Sequence, residues 1–207
     1  MASTYTELRR EFLDLSGRED MEQAFDTLLS LAEAEFNRNI RHSSMLARKT
    51  ATVTSSRIAL PSDWLEAFNI QISDQKPDRL QYVSPYDLDY VRDVIGGNTG
   101  KIQYYSIVGS ELEVVPAPAG SSTIEMIYYA KIPALTSSAP SNWLLLSSPD
   151  VYLFGALGKM GFYLGERDSR FTAWATQSAK LIDDVNKSDM RNRVSGGPLN
   201  SRGKLWR

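Results

Sequence analysis

The feature that most constrains this chain is a long helical pattern from Asn142-Trp143-Leu144 through Val185 that carries its own gaps. Ser148-Pro149-Asp150 reads as a helix start, with Ser at the N-cap, Pro at the first helical position and Asp at the positive end of the dipole. Val151, Phe154, Leu157 and Gly161 follow at helical spacing, beside Leu153, Met160 and Leu164 on a neighbouring stripe. Gly155, Gly158, Gly161 and Gly165 sit inside this apolar segment. No lysine follows them in a phosphate-loop arrangement, so they do not read as a nucleotide site. Each glycine costs a helix roughly 1 kcal/mol relative to alanine, so a close packing partner is expected against them. After Gly165 the pattern resumes with Phe171, Trp174, Ala175, Ser178, Leu181, Ile182 and Val185.

Two helices are expected at the other end of the chain. Thr4-Tyr5-Thr6-Glu7 is a capping box, in which Thr4 takes an orphan amide and Glu7 reaches back. Tyr5, Leu8, Phe12 and Leu15 line one face before Ser16-Gly17 stops the helix. A second helix is predicted from about Glu19 to about Asn39, with Met21, Phe25, Leu28, Leu29, Ala32 and Phe36 as its apolar stripe. From Lys49 the period falls to two. Short strands are read at Thr50–Thr54 and Arg57–Leu60, alternation at Phe68, Ile70 and Ile72, and an extended Leu80–Val83. Ser84-Pro85-Tyr86-Asp87 opens a short helix to about Ile95. Gly109-Ser110 suits a type II′ hairpin turn that sets Ile107 opposite Leu112 and Tyr105 opposite Val114. Ile124, Met126 and Tyr128 mark a further strand.

The fold class expected is therefore α+β. A helical body (1–48 and 142–190) carries a small antiparallel β insertion (49–141) and an extended, flexible, basic C-terminal tail (191–207). From Lys187 onward six basic residues face one acid, Asp189, for a net charge of +5, with Leu205-Trp206 as the apolar element.

Composition narrows the functions. A net charge of −2 is no bulk polyanion binder, and zero cysteines exclude disulfides, thiolate metal sites and a cysteine nucleophile. The N-terminus lacks a basic region followed by an apolar core, and no run approaches the roughly 20 apolar residues of a membrane span, so a soluble protein without membrane contact is expected. His42, the lone histidine, stands beside Ser43 and Ser44, but adjacent residues seldom give catalytic geometry, and a polar residue at a helix end is the simpler reading. Asp87, Asp89 and Asp93, and likewise Asp183-Asp184, read as solvated helix faces rather than metal ligands or an acid/base pair. No cofactor or metal is expected. Arg38, Arg41, Arg48 and Lys49 read either as a phosphate-binding edge or as cations at a helix C-terminus. The basic tail reads as a nucleic-acid arm or as a peptide that docks through a Trp anchor.

Read end to end, the chain resembles the head–tail adaptor (head-completion) proteins of tailed, podovirus-type phages. The resemblance rests on Thr4-Tyr5-Thr6-Glu7-Leu8, on Leu29–Arg41 with its LAE and NR elements, and on Leu60-Pro61-Ser62-Asp63-Trp64-Leu65. It continues through Tyr105–Gly109 with Leu112–Pro118, Tyr128–Leu135, and Asn142-Trp143-Leu144-Leu145 leading into Pro149–Leu157. Each motif alone is weak; their order carries the likeness. It implies a structural virion protein at the neck, made in the host cytoplasm, and not an enzyme. About a dozen copies would form a ring beneath the portal, continue the DNA channel without sequence-specific binding, and meet a tail or nozzle protein. The C-terminal extension would grip the portal, which singles out Arg191, Arg193, Arg202, Lys204, Leu205, Trp206 and Arg207. Arg38 and Arg41 become candidates for facing the channel. Two other classes remain: a nucleic-acid-binding module using the tail, and a cell-wall-degrading tail enzyme using paired carboxylates.

Overall fold

A computed structural model describes residues 1–73, 78–95, 99–166 and 168–194, with side chains as far as Met190. The class is α+β. Helices occupy α1 (Tyr5–Ser16), α2 (Phe25–Asn39), α3 (Leu88–Ile95), α4 (Trp143–Ser147), α5 (Pro149–Leu164) and α6 (Ser169–Val194). Strands occupy β1 (Leu46–Val53), β2 (Arg57–Ala59), β3 (Trp64–Ile72), β4 (Asp78–Arg79) and β5 (Gln81–Tyr82). They continue as β6 (Thr99–Gly100), β7 (Tyr104–Val108), β8 (Glu111–Val115), β9 (Ala117–Pro118) and β10 (Ser122–Ala130). The chain divides into two compact units, Met1–Ser44 with the chain from Ile132 onward, and Met45–Lys131. The division falls earlier than the expected switches near Lys49 and Asn142. Strand pairing already begins at Leu46, and the Ile132 amide donates to the Asn37 side chain at 2.8 Å.

In the helical unit, Thr4 caps α1 by accepting from the Glu7 amide at 3.3 Å. The Glu7 carboxylate reaches back one residue further than the box requires, to the amide and hydroxyl of Ser3 at 2.8 Å each. Gly17, at φ 64, ends the helix in the left-handed conformation that favours glycine. The expected second helix is broken. Glu19–Met21 is a 3-10 turn, and α2 begins only at Phe25. That break lets Met21 and Phe25 both be buried without lying on one continuous stripe. Phe12 meets Phe25 with ring centres 5.2 Å apart, and Phe36 meets Tyr152 edge-on at 5.1 Å.

The return to helix corrects a second expectation. Ser148 makes no side-chain cap, although Pro149 does occupy the first helical position of α5. The cap belongs to Asn142 and α4: its Oδ1 accepts from the Leu145 amide at 2.9 Å. Its Nδ2 donates to the Pro133 carbonyl at 2.6 Å and to the Tyr152 hydroxyl at 2.7 Å. One buried amide thus fixes a loop, a cap and a core tyrosine.

The glycines of α5 have the packing partners their helix cost implies. A Cβ on Gly155 would lie 2.5 Å from Phe36 Cζ, on Gly158 2.9 Å from Ala175 Cα, and on Gly161 2.8 Å from Phe171 Cβ. Gly165 differs: no atom crowds it, and its φ of 69 closes the helix.

Among the described residues the β unit has three sheets. The first runs β1-β10-β3-β4, all antiparallel; the second runs β2-β8-β7-β5; the third pairs β6 with β9. The β5–β7 and β6–β9 pairs are parallel, which a purely antiparallel expectation did not include. The hairpin register holds, with Ile107 opposite Leu112 and Tyr105 opposite Val114. Gly109 has φ 62 while no described non-glycine residue, Ser110 included, has positive φ, so the turn is II′ rather than I′. Ile124, Met126 and Tyr128 alternate inward with Ile70, Ile72, Leu112 and Val114 to form the core. Phe68 leaves the predicted inward alternation. A register shift between Ile127 and Tyr128 sets Ala67 opposite Tyr128, and Phe68 is left 46% exposed beside Tyr129.

Candidate functional site

The basic C-terminal segment grows out of α6, and the last described turns of that helix are tied down. Asn186 Oδ1 accepts from the Arg41 amide at 2.9 Å, and its Nδ2 donates to the Asn39 carbonyl at 2.9 Å. Asp189, 3% exposed, accepts from the Ser43 amide at 2.9 Å and lies 3.7 Å from His42 Nε2. His42 stacks on Trp143, with ring centres 5.0 Å apart. Spaced three apart on α6, Asn186 and Asp189 therefore read the backbone of residues 39–43, just beyond the C-terminal end of α2. The spacing was visible in the sequence, on the face of Ile182 and Val185, but there Asp189 looked like a lone counter-charge. The signal was its helical position, not its charge.

His42 has a structural job in this cluster. Its Nδ1 accepts from the Ser44 amide at 3.0 Å, which leaves Nε2 to carry the proton toward Asp189. That arrangement aims neither nitrogen at a serine hydroxyl.

The basic residues singled out above are placed as follows. Arg41 Nη1 donates to the carbonyls of Asn37 at 2.9 Å and Ile40 at 2.7 Å, a cation on the negative end of α2. Arg38 is exposed in the last turn of the same helix. Arg48 and Lys49 belong to β1, where Arg48 pairs with Glu125 at 3.0 Å and Lys49 with Asp63 at 3.3 Å. Arg191 and Arg193 continue the backbone of α6. Their side chains, and all of Arg202, Lys204, Leu205, Trp206 and Arg207, lie outside the described residues.

Three of the acidic candidates, Asp87, Asp89 and Asp183, are engaged locally, Asp183 with Lys187. Asp87 accepts from the Ser84 hydroxyl at 2.7 Å ahead of α3, and Asp89 pairs with Arg92 at 2.6 Å. In a shallow pocket of the helical unit, Asp26 accepts from the Tyr5 hydroxyl and Glu33 from the Leu135 amide at 2.7 Å. Burial holds the Glu33 carboxyl above its ordinary range, against the Leu135 amide, which pulls the other way. Burial likewise raises the Tyr152 phenol. In the β unit, burial alone would raise Asp63, but hydrogen bonds from Tyr128, the backbone and Lys49 outweigh it and hold the carboxyl low. Burial, then the bond to Asp63, raises the Tyr128 phenol. The described residues hold no group of three or more His, Cys, Asp or Glu fit for a metal.

A family model described as SU10 adaptor protein matches residues 3–202. The chain belongs to that family. It is a family of phage head–tail adaptors, so this adaptor is a structural protein of a phage virion. No curated protein matches the adaptor sequence. Among its described residues, no helix is long and apolar enough to cross a membrane.

Proposed function

We propose that this adaptor forms a ring of about a dozen copies beneath the portal, joining it to the tail or nozzle and continuing the DNA channel. The observation that carries the reading is the family match across residues 3–202. The segment from Arg191 to Arg207 grips the portal: its arginines and lysine supply charge-assisted contacts, and Leu205-Trp206 supplies the anchor. Ordering a peptide costs free energy, and a few such anchors offset it. The root of the segment supports this role. Asn186 and Asp189 hold the end of α6 against residues 39–43, so the gripping peptide starts from a fixed point. Arg38 and Arg41 face the channel, where DNA passes without sequence readout.

Truncation after Arg193 tests the reading. The shortened chain keeps its helical circular dichroism but no longer co-sediments with portal-bearing capsids, while the full chain does. Attachment retained by the truncated chain would overturn the assignment of the tail. Size-exclusion chromatography with light scattering, before and after mixing with portals, then reads the copy number directly. A full chain that ignores portals yet binds DNA with steep salt dependence would replace the ring with a nucleic-acid-binding module.

A further inference from the structure

The four-stranded sheet of the β unit ends in two open edges. β1 pairs with β10 along all eight of its residues, and no described strand lies on its other side. β3 also pairs with β10, but on its far side β4 covers only Gln71 and Ile72. Positions 64–69 of β3 therefore have no neighbouring strand on that side among the described residues. An open edge is a template for pairing with another chain. Both edges are accessible: Arg48, Lys49 and Thr50 are exposed on β1, and Glu66 and Phe68 on β3.

The two edges complement each other better than either complements itself. β1 and β3 each run antiparallel to β10, so they share one direction. Copies placed head to tail would bring β1 of one beside β3 of the next as a parallel pair. Such a contact joins two different surfaces and generates a ring when the rotation closes. A β1–β1 contact would instead set Arg48 and Lys49 of two copies against each other. On β3 the exposed charge is Glu66, and Asp63 lies just before the strand. Arg48 stands opposite Ile127 and Glu66 opposite Tyr129 on β10, so both project from the same face of the sheet. Arg48 and Lys49 keep 65% and 51% of their side chains exposed even while bonded within their own copy.

We propose that neighbouring copies of this adaptor are joined by β1 of one pairing with β3 of the next, a sheet continued across the ring. The proposal rests on the ring reading above. Backbone hydrogen bonds supply the attraction, and the alternating side chains fix the register.

The absence of native cysteines makes the test clean. Thr50→Cys on β1 is combined with Phe68→Cys on β3, and the double variant is assembled on portal-bearing capsids and oxidised. Within one copy β10 separates the two positions by two strand spacings, about 10 Å, beyond the roughly 7 Å between Cα atoms that a disulfide tolerates. Any disulfide therefore joins two copies. The expected result on a non-reducing gel is a ladder of covalent oligomers, with at most a dimer from either single variant. Thr50→Cys with Glu66→Cys repeats the test with the Phe68 ring left in place. Rings of full mass on the portal that yield no ladder from either pair would overturn the edge pairing and leave the ring standing. A wild-type chain that forms no ring on portals would remove both.

Discussion

The two units of this adaptor are specified by opposite means. The helical unit depends on side chains that are absent: a Cβ on Gly158 would press on the Ala175 backbone, and one on Gly155 on the fully buried Phe36 ring. The β unit has no comparable approach among its described glycines. Gly109 and Gly120 meet nothing within 4 Å, and Gly100 meets only Pro116 at 3.5 Å. Its order comes from period-two alternation, and from polar residues bound across strands, as Arg48 and Gln71 are on Glu125. Interlocked helices tolerate no added atom, because packed interiors have no spare volume. A sheet tolerates change on its outer face but leaves its edges open. A rigid body and a surface that can be extended are thus encoded side by side in one chain.

The sharpest break of that comparison is Gly158→Val. The neighbour is backbone, which cannot swing aside, so the substitution is expected to cost about 3 kcal/mol in urea unfolding despite the gain in helix propensity. Gly120→Ala in the β unit is the matched control and should stay within about 0.5 kcal/mol of wild type. Equal effects at the two positions would mean that α5 and α6 separate more easily than their contact implies.

Polar anchors give the next contrast. Asn142→Ala strips the Leu145 amide, the Pro133 carbonyl and the Tyr152 hydroxyl of a partner in a buried place, at an expected cost of about 2 kcal/mol. Tyr128→Phe removes one hydroxyl from a carboxylate that Lys49 also contacts, and about 1 kcal/mol is expected. Reversal of that order would place the tighter polar centre in the sheet.

How much of this was legible follows from the range of the signal. Thr4, Gly17 and the Gly109-Ser110 turn act within a few residues, and each could be read from its neighbours alone. The glycines of α5 announced a close contact through their cost, yet only the fold names Phe36, Ala175 and Phe171 as the partners. The break after Met21 was hidden because residues 19–39 keep an apolar spacing that one unbroken helix would also show. Ser148 looked like a cap because of Pro149, but its backbone is not extended and its side chain caps nothing, whereas Asn142 caps α4 from an extended backbone; whether a polar residue at a helix start caps it is decided by backbone angles. The parallel pairing of β5 with β7 joins short segments far apart in sequence and leaves no local mark. At the candidate site, the basic charge of the tail was plain, but the clamp formed by Asn186 and Asp189 needs residues 39–43, which lie far off along the chain.

The smallest expected effect is a difference in slope with pH. Glu33, in the helical unit, is held above its ordinary range by burial. A raised carboxyl favours the folded state while protonated, so its contribution is present below the unfolded value of about 4.3 and is lost as pH rises through the folded value. Asp63, in the β unit, is held low. Its contribution is present above the unfolded value of about 3.9 and is lost as pH falls through the folded value. The two units therefore respond to acid in opposite senses at these sites. Urea unfolding from pH 2 to 7 should show wild type losing ground to Glu33→Gln as pH rises, and gaining ground on Asp63→Asn over its acidic part. Differences that stay flat across the range for both variants would mean that neither carboxyl is perturbed. A flat response for Asp63 alone would mean that its partners Tyr128 and Lys49 do no more for the carboxylate than water does.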